Sequence, residues 1–361
     1  MQTDERVLSD SSEATAEWLT GILQAGGFLH GAVKSVRADG HTSVHAHTAR
    51  LKIAYSADVT GKKPASLFLK ICKEGSALFG DSEIRYYTAI AADMASPPIP
   101  RCYHSAYDPQ TARYHLLLQD LTDTHQVNWG VTPTLPHAAK IIDALAQLHA
   151  HWWDSSQLSA AIGRYPNADV MERYISHALP GVAPLLEYLG DRLTGEEREI
   201  VRSVFAKHPI LLHKRAEEGR HFTCIHGDPN PGNILSPIDA DGRAYLIDRQ
   251  PFPWSLTTWL GVSDLAYLMV HWWGSDVRRE LEEPLLRRYW EQLQIRGVGR
   301  YAWQRLWEDY RLVAMQSFYV VADWNLDPAE QKQMEWVWWP QLQMTLRAYR
   351  SLNCADLLAD V

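Results

Sequence analysis

The feature that most restricts this chain is the run His226-Gly227-Asp228-Pro229-Asn230-Pro231-Gly232-Asn233, set between apolar stretches. Phe222-Thr223-Cys224-Ile225 precedes it and Ile234-Leu235 follows. Apolar residues flanking a Gly/Pro/Asn-rich break read as strand, tight loop, strand. Pro229, Pro231 and Gly232 stiffen and turn the loop and exclude helix there. Such a loop holds polar side chains at fixed positions. Its polar groups form His-x-Asp-x-x-x-x-Asn: an imidazole, a carboxylate and a carboxamide. A second carboxylate, Asp248, ends the apolar run Ala244-Tyr245-Leu246-Ile247, which follows the hairpin turn signal Asp241-Gly242.

These groups suit phosphoryl transfer. That chemistry needs a carboxylate to orient a hydroxyl and accept its proton, and oxygen ligands to hold Mg²⁺ on the nucleotide phosphates. Asp228 reads as the base. Asn233 and Asp248 read as the Mg²⁺ ligands, because Mg²⁺ takes one or two hard oxygen ligands and completes its shell with phosphate and water. The plainer alternative is a loop whose Asp and Asn cap turns.

The segment His226–Asn233, followed by Leu246-Ile247-Asp248, resembles the catalytic and metal-binding loops of the aminoglycoside phosphotransferase superfamily, which includes choline kinase-like and ecdysteroid kinase-like small-molecule kinases. The resemblance implies an α+β, protein-kinase-like fold in two lobes. A small antiparallel-sheet N-lobe would cover residues 1–120, and a larger, mainly helical C-lobe residues 121–361. It also implies ATP and Mg²⁺ as cofactors. Protein kinases usually carry Arg between the His and the Asp; Gly227 is closer to the small-molecule branch. Many relatives place an aromatic after the metal-binding Asp, whereas Arg249-Gln250 follow here. Arg249 reads as a solvated or salt-bridged side chain, or as one reaching a phosphate or an anionic substrate group.

A chain of 361 residues is long enough for two lobes with cores of their own. Its net charge of −8 argues against a nucleic-acid backbone as partner. Cys72, Cys102, Cys224 and Cys354 form no CxxC pair, which fits a reducing cytosol without a disulfide framework or zinc knuckle. The first residues are polar and acidic rather than a signal peptide, and no apolar run approaches eighteen residues. The expectation is a cytoplasmic protein with no membrane partner.

Along the chain, residues 12–26 read as a helix stopped by Gly26-Gly27. Ala32–Val36, His45–Ser56 and Ala65–Cys72 read as strands of an antiparallel sheet. A turn at Asp39-Gly40-His41-Thr42-Ser43 is where a phosphate-covering loop is expected, although it holds a single glycine. Lys70 interrupts the apolar run Leu67-Phe68-Leu69-Lys70-Ile71, where a solvated Lys is not expected. In kinases such a strand Lys pairs with nucleotide phosphates and with a helix Glu. Glu83 suits that role: with Asp81 or Ser82 as cap, it shares a helix face with Tyr87 and Ile90. An exposed edge-strand Lys and a first-turn Glu would give the same residues.

Tyr114–Leu118 then reads as a buried strand. The resemblance makes the following residues the hinge between lobes, with the Gln119 carbonyl and the Leu121 amide matching the adenine contacts. Pro136–Trp153 is an amphipathic helix, residues 167–218 are mostly helical with Thr194 as a cap, and Asp264 begins a helix. The resemblance gives Asp264 the task of bracing the catalytic loop.

Eleven of the fifteen tryptophans lie from Trp254 onward, with local clusters at Trp272-Trp273, Trp303/Trp307 and Trp336/Trp338-Trp339. They read either as helix packing or as walls of an acceptor pocket. From Pro251 to Val361 there are 14 acidic residues against 11 basic ones, too mild an excess to demand a polycationic acceptor. The expected function is an ATP- and Mg²⁺-dependent O-phosphotransferase acting on a small hydroxylated molecule, with a hydrophobic or aromatic alcohol favoured. A protein Ser/Thr kinase-like enzyme and a catalytically inactive nucleotide-binding pseudokinase are the alternatives.

Overall fold

Alternation of apolar and polar residues builds the first half of the molecule. The computed structural model describes residues 6–42, 46–73, 79–158, 162–359 and 361. Among them, β1 (Val33–Thr42), β2 (Ala46–Tyr55), β3 (Ser66–Cys72), β4 (Cys102–Asp108) and β5 (Arg113–Gln119) form one antiparallel sheet in the order β1-β2-β3-β5-β4. In β3, Leu67, Leu69 and Ile71 are buried on one face. They join a core with Trp18, Leu19, Ile22 and Leu23 of helix α1 (Ala16–Ala25). Successive strand residues face opposite ways, so Lys70 projects from the face that α1 does not cover. It stands opposite Thr48 of β2 and Leu116 of β5.

Two local expectations are corrected here. The helix expected over 12–26 is divided: Thr15 caps the N–H of Trp18 and starts α1 afresh after a 3₁₀ turn at Ser11–Glu13. The turn expected from Asp39 is also displaced, because β1 runs on through Thr42, with Gly40 paired to Ala49 and Thr42 to His47. The ladder satisfies these backbone groups, so nothing forces a turn at Gly40. Ser43 lies outside the described residues.

Helix α2 (Ser82–Arg85) follows, continued by a wider turn at Tyr86–Ile90. The second half is helical, opening with α3 (Leu135–His151), α4 (Ala168–Ala178), α5 (Val182–Leu189) and α6 (Gly195–Glu217). Thr194 caps α6 in a reciprocal box with Glu197. Short strands frame the loop: β6 (Thr223–Cys224) pairs with β9 (Thr258–Trp259), and β7 (Ile234–Pro237) with β8 (Tyr245–Leu246). Then come α7 (Val262–Trp272), α8 (Ser275–Ile295), α9 (Trp303–Ala314), α10 (Ser317–Asp323), α11 (Pro328–Gln333), α12 (Glu335–Ser351) and α13 (Cys354–Ala359). Trp152, Trp259 and Trp338 are fully buried in this half.

The chain divides into two compact units. The first comprises Met1–Gln126, Pro237–Asp241 and Ile247–Pro253; the second holds Val127–Ser236, Gly242–Leu246 and Trp254–Val361. Asp248 therefore belongs with the sheet. No helix among the described residues is long and apolar enough to cross a membrane.

Candidate active site

In the first unit the strand alternation that frees Lys70 brings it to Glu83. The Lys70 ammonium donates to both Glu83 oxygens at 2.8 Å and to Asp248 Oδ1 at 2.7 Å. Glu83 is buried at the start of α2, whereas the Asp248 side chain is 39% exposed. Burial opposes the charge on Lys70, but the Glu83 and Asp248 carboxylates outweigh it and hold the ammonium above its ordinary range. Burial pushes Glu83 upward, helped by Asp248 and countered by Lys70. Two carboxylates thus share one ammonium. Asp248 adopts a left-handed backbone at φ 61°, a conformation Asp tolerates better than most residues.

Two more donors complete this cluster. The Tyr114 hydroxyl donates to Glu83 Oε2 at 2.5 Å, and Gln250 Nε2 donates to the same oxygen at 2.8 Å and to the Tyr114 oxygen at 2.7 Å. Arg249 is buried, which overturns its reading as a solvated side chain. At the end of β5, Gln119 is tied to Arg101 through its backbone N–H at 2.8 Å. The Leu121 carbonyl accepts the N–H groups of Thr124 and His125 at 3.0 and 2.9 Å. Between them Asp120 is held at 2.6 Å by Arg50 of β2.

In the second unit the His226–Asn233 loop is fixed from below. Asp264, in the first turn of α7, accepts the backbone N–H of His226 at 2.6 Å and of Gly227 at 2.9 Å. Gly227 has φ 85°, which explains glycine where protein kinases usually carry Arg. His149 Nε2 lies 3.0 Å from Asp264, and His149 Nδ1 lies 2.9 Å from the Tyr289 hydroxyl. Asp264 can only accept, so the network places the proton on Nε2, and the Tyr289 hydroxyl donates to Nδ1. Burial acts to raise the Asp264 carboxyl, yet the His149 hydrogen bond, the nearby imidazoles and the Gly227 N–H together hold it below its ordinary value.

The Asp228 carboxylate is fixed in turn. The Asn230 amide donates to both of its oxygens at 3.0 Å. The Asn233 amide donates to Asp228 Oδ2 and to its carbonyl, each at 3.0 Å. Half-buried Tyr267 of α7 adds its hydroxyl; desolvation first, and then the Asp228 charge, keep that hydroxyl protonated. Because the Asn233 nitrogen serves Asp228, its carboxamide oxygen is left to act as a hard ligand. Taken singly, the Asn233 carboxamide oxygen and the Asp248 carboxylate are each of the hard-oxygen type that Mg²⁺ takes. Among the described residues no cluster of three or more His, Cys, Asp or Glu could hold a metal, so no protein cage for a separate ion is found there.

Beside this loop lies a cavity of about 340 Å³, walled by Trp129, Val131, Pro231, Leu268, Trp272 and Trp273 among others. Among the described residues, no acidic one lines it. Asn128 ties this wall to the loop: its N–H donates to the Pro231 carbonyl and its amide to the Ile234 carbonyl, both at 2.8 Å. Trp129 meets Trp272 edge-on at 5.2 Å. A Cβ at Gly232 would sit 2.6 Å from Trp129 Nε1, so only glycine admits that ring against the loop.

The tryptophans thus divide. Trp259 and Trp338 are packing residues whose indole N–H groups bond to Gln316 Oε1 and the Gln331 carbonyl. Trp303 packs under the Arg287 guanidinium, and Trp336 is exposed. Only Trp272 and Trp273 of the C-terminal set line the cavity, and Trp129 joins them from outside it. Sequence reasoning missed Trp129, Asn230, Tyr114 and Tyr267; Asn230 sits inside the His226–Asn233 loop and was the one within reach.

Residues 86–296 match the Ecdysteroid kinase-like family. No curated protein sequence matches the chain. Among solved structures, the GDP and kanamycin complex of APH(2")-IIia aligns at a TM-score of 0.53 and 12% identity, over 88% of this chain and 94% of that one. The GDP complex of wild-type aminoglycoside 2'-phosphotransferase-IIIa aligns at 0.52 and 11% identity, over 93% of this chain and 98% of that one. At such identity these likenesses bear on the fold alone, which is the two-lobed protein-kinase-like fold with an antiparallel-sheet lobe and a larger helical lobe. The family match spans more than half of the sequence, and the chain belongs to the Ecdysteroid kinase-like family.

Proposed function

We propose that this protein is an ATP- and Mg²⁺-dependent O-phosphotransferase acting on the hydroxyl of a small, largely apolar or aromatic molecule. The observation that carries the reading is the Asp228 carboxylate, fixed by the Asn230 and Asn233 amides on a loop anchored to buried Asp264. A carboxylate so placed orients an acceptor hydroxyl and takes its proton as the phosphoryl group arrives. Lys70, set by Glu83, holds phosphate oxygens of the nucleotide. The Gln119 carbonyl and the Leu121 N–H hold its adenine. Asn233 and Asp248 would hold Mg²⁺, which when bound neutralises charge on the phosphates. The acceptor body lies in the cavity walled by Trp129, Trp272 and Trp273, where aromatic faces favour an apolar or monocationic alcohol and the lack of acids disfavours a polycation.

The test is ADP release by the full chain with ATP and Mg²⁺ across kanamycin-type aminoglycosides, choline, macrolides, sterol-like alcohols and aromatic alcohols. The reading expects turnover of an apolar or aromatic alcohol, and a loss of about 10²–10⁴ in kcat in Asp228→Ala with nucleotide affinity unchanged. Near-normal turnover by Asp228→Ala refutes the role of the base. Turnover confined to aminoglycosides refutes the acceptor class.

A further inference from the structure

Arg249 and Gln250 follow Asp248, and the geometry gives the second of them a task. Every N–H of the Lys70 ammonium is engaged, two on Glu83 and one on Asp248. To hold a phosphate Lys70 must release one partner. Asp248 is the partner whose proposed role lies on the metal. Once that bond opens, the segment Ile247–Pro253 loses its direct tie to the lysine. Gln250 supplies another. Its amide reaches Glu83 Oε2 at 2.8 Å and the Tyr114 oxygen at 2.7 Å, while the Tyr114 hydroxyl donates to the same Glu83 oxygen. The three groups close a triangle that does not include Asp248. Tyr114 is buried, and burial together with the Glu83 charge keeps its hydroxyl protonated and donating.

We propose that Gln250 is a positioning residue that pins the Asp248 segment to Glu83, so that Asp248 and the Lys70–Glu83 pair stay aligned when Lys70 exchanges Asp248 for a phosphate. The proposal rests on the phosphotransferase reading above. Tyr87 at the Asp248 backbone and Phe79 at Phe252 also touch this segment, but Gln250 is the tie that reaches the Glu83 carboxylate itself. A neutral amide suits the task, because it donates to a carboxylate without adding a second cation to compete with Lys70 for phosphate.

Gln250→Ala and the isosteric Gln250→Glu test this in the full chain, with Mg²⁺·ADP as the probe in titration calorimetry and thermal unfolding read without nucleotide. Loss of a hydrogen bond to a charged group should weaken Mg²⁺·ADP binding by roughly tenfold or more in both variants at pH 8. In Gln250→Glu the introduced carboxylate, when ionised, faces Glu83 as a like charge, and its pKa rises; once protonated it donates as the amide does. Should Gln250→Ala fail to fold, Gln250→Glu decides. Gln250→Glu that binds Mg²⁺·ADP as wild type does at pH 8 overturns the proposal. So does Gln250→Ala with a lowered Tm and unchanged affinity, the result of a merely structural role. Wild-type protein that binds no Mg²⁺·ADP refutes the phosphotransferase reading, and the positioning role falls with it; wild-type binding that Gln250→Ala leaves intact refutes the positioning role alone.

Discussion

Asp264→Asn is the sharpest perturbation available, because it changes one charge at nearly constant volume. Asp264 is 1% exposed and receives three donors: the N–H groups of His226 and Gly227 on separate oxygens, and His149 Nε2. Asparagine keeps one accepting oxygen, and its new NH₂ faces a donor. His149 can adapt by taking its other tautomer, donating from Nδ1 to Tyr289 and accepting at Nε2. The backbone N–H groups cannot adapt. One buried N–H left unpaired, with weaker neutral bonds elsewhere, costs about 2–4 kcal/mol. For a cooperative unit of this size each kcal/mol lowers Tm by about 2–4 °C, so calorimetry at neutral pH should read a fall of roughly 5–15 °C. Asp228 stands two residues beyond His226, and a displacement of about 1 Å should lower kcat by about 10²-fold in the ADP-release assay. Asp264→Ala orphans every donor and should be worse in both respects. The sign with pH is fixed as well. The folded-state carboxyl is held below its ordinary 3.8, so its contribution is complete above that value and is lost as pH falls through the lower folded value. The Tm gap between wild type and Asp264→Asn should therefore close only below about pH 4. Unchanged Tm and turnover in Asp264→Asn, or equal effects of Asn and Ala, would refute the bracing argument.

Asp248→Asn and Asn233→Ala should each raise the Mg²⁺ concentration for half-maximal activity by about tenfold or more; unchanged midpoints in both contradict the ligand roles. Lys70→Ala leaves Glu83 and Asp248 without their cation and should cost about 3–5 kcal/mol at neutral pH, less as the medium is acidified and a carboxyl takes up a proton; a Tm deficit independent of pH argues against that cluster. Trp129→Ala should raise the KM for an apolar acceptor by about tenfold with the nucleotide KM unchanged; an equal rise in both places Trp129 outside the acceptor pocket.

The elements legible in the sequence are those with a periodic or punctuated signal. Lys70 stands out because it interrupts an otherwise apolar run, and Glu83 because it shares a helix face with Tyr87 and Ile90; the strand alternation and the burial of α2 bring the two together. The His226–Asn233 loop is legible because proline and glycine forbid other structures there. Gln250 and Tyr114 leave no such trace. An amide or hydroxyl that donates to a carboxylate across the fold obeys no spacing rule. Tryptophan clusters mislead for a related reason: indole fills a core and lines a pocket equally well, and helical spacing says only that two rings share a face. Trp338 packs and Trp272 lines the cavity, with nothing in their local sequence to separate them. Of the readings open for Arg249 in the sequence (solvated, salt-bridged, or reaching an anion), burial in the fold removes the first.

The placing of Lys70 between Leu69 and Ile71 also guards the fold against its own misassembly. A slip of β3 by one residue relative to β2 and β5 would carry every side chain to the opposite face. The ammonium would then enter the core among Leu19, Leu23 and Leu51, and Leu69 and Ile71 would lose their cover. An unpaired charge in such surroundings costs several kcal/mol, a large fraction of the stability a domain of this kind possesses. The residue proposed to hold phosphate is thus also a proofreader of strand pairing. A chain that folds at all with this sequence has its lysine on the side where a nucleotide is expected to meet it.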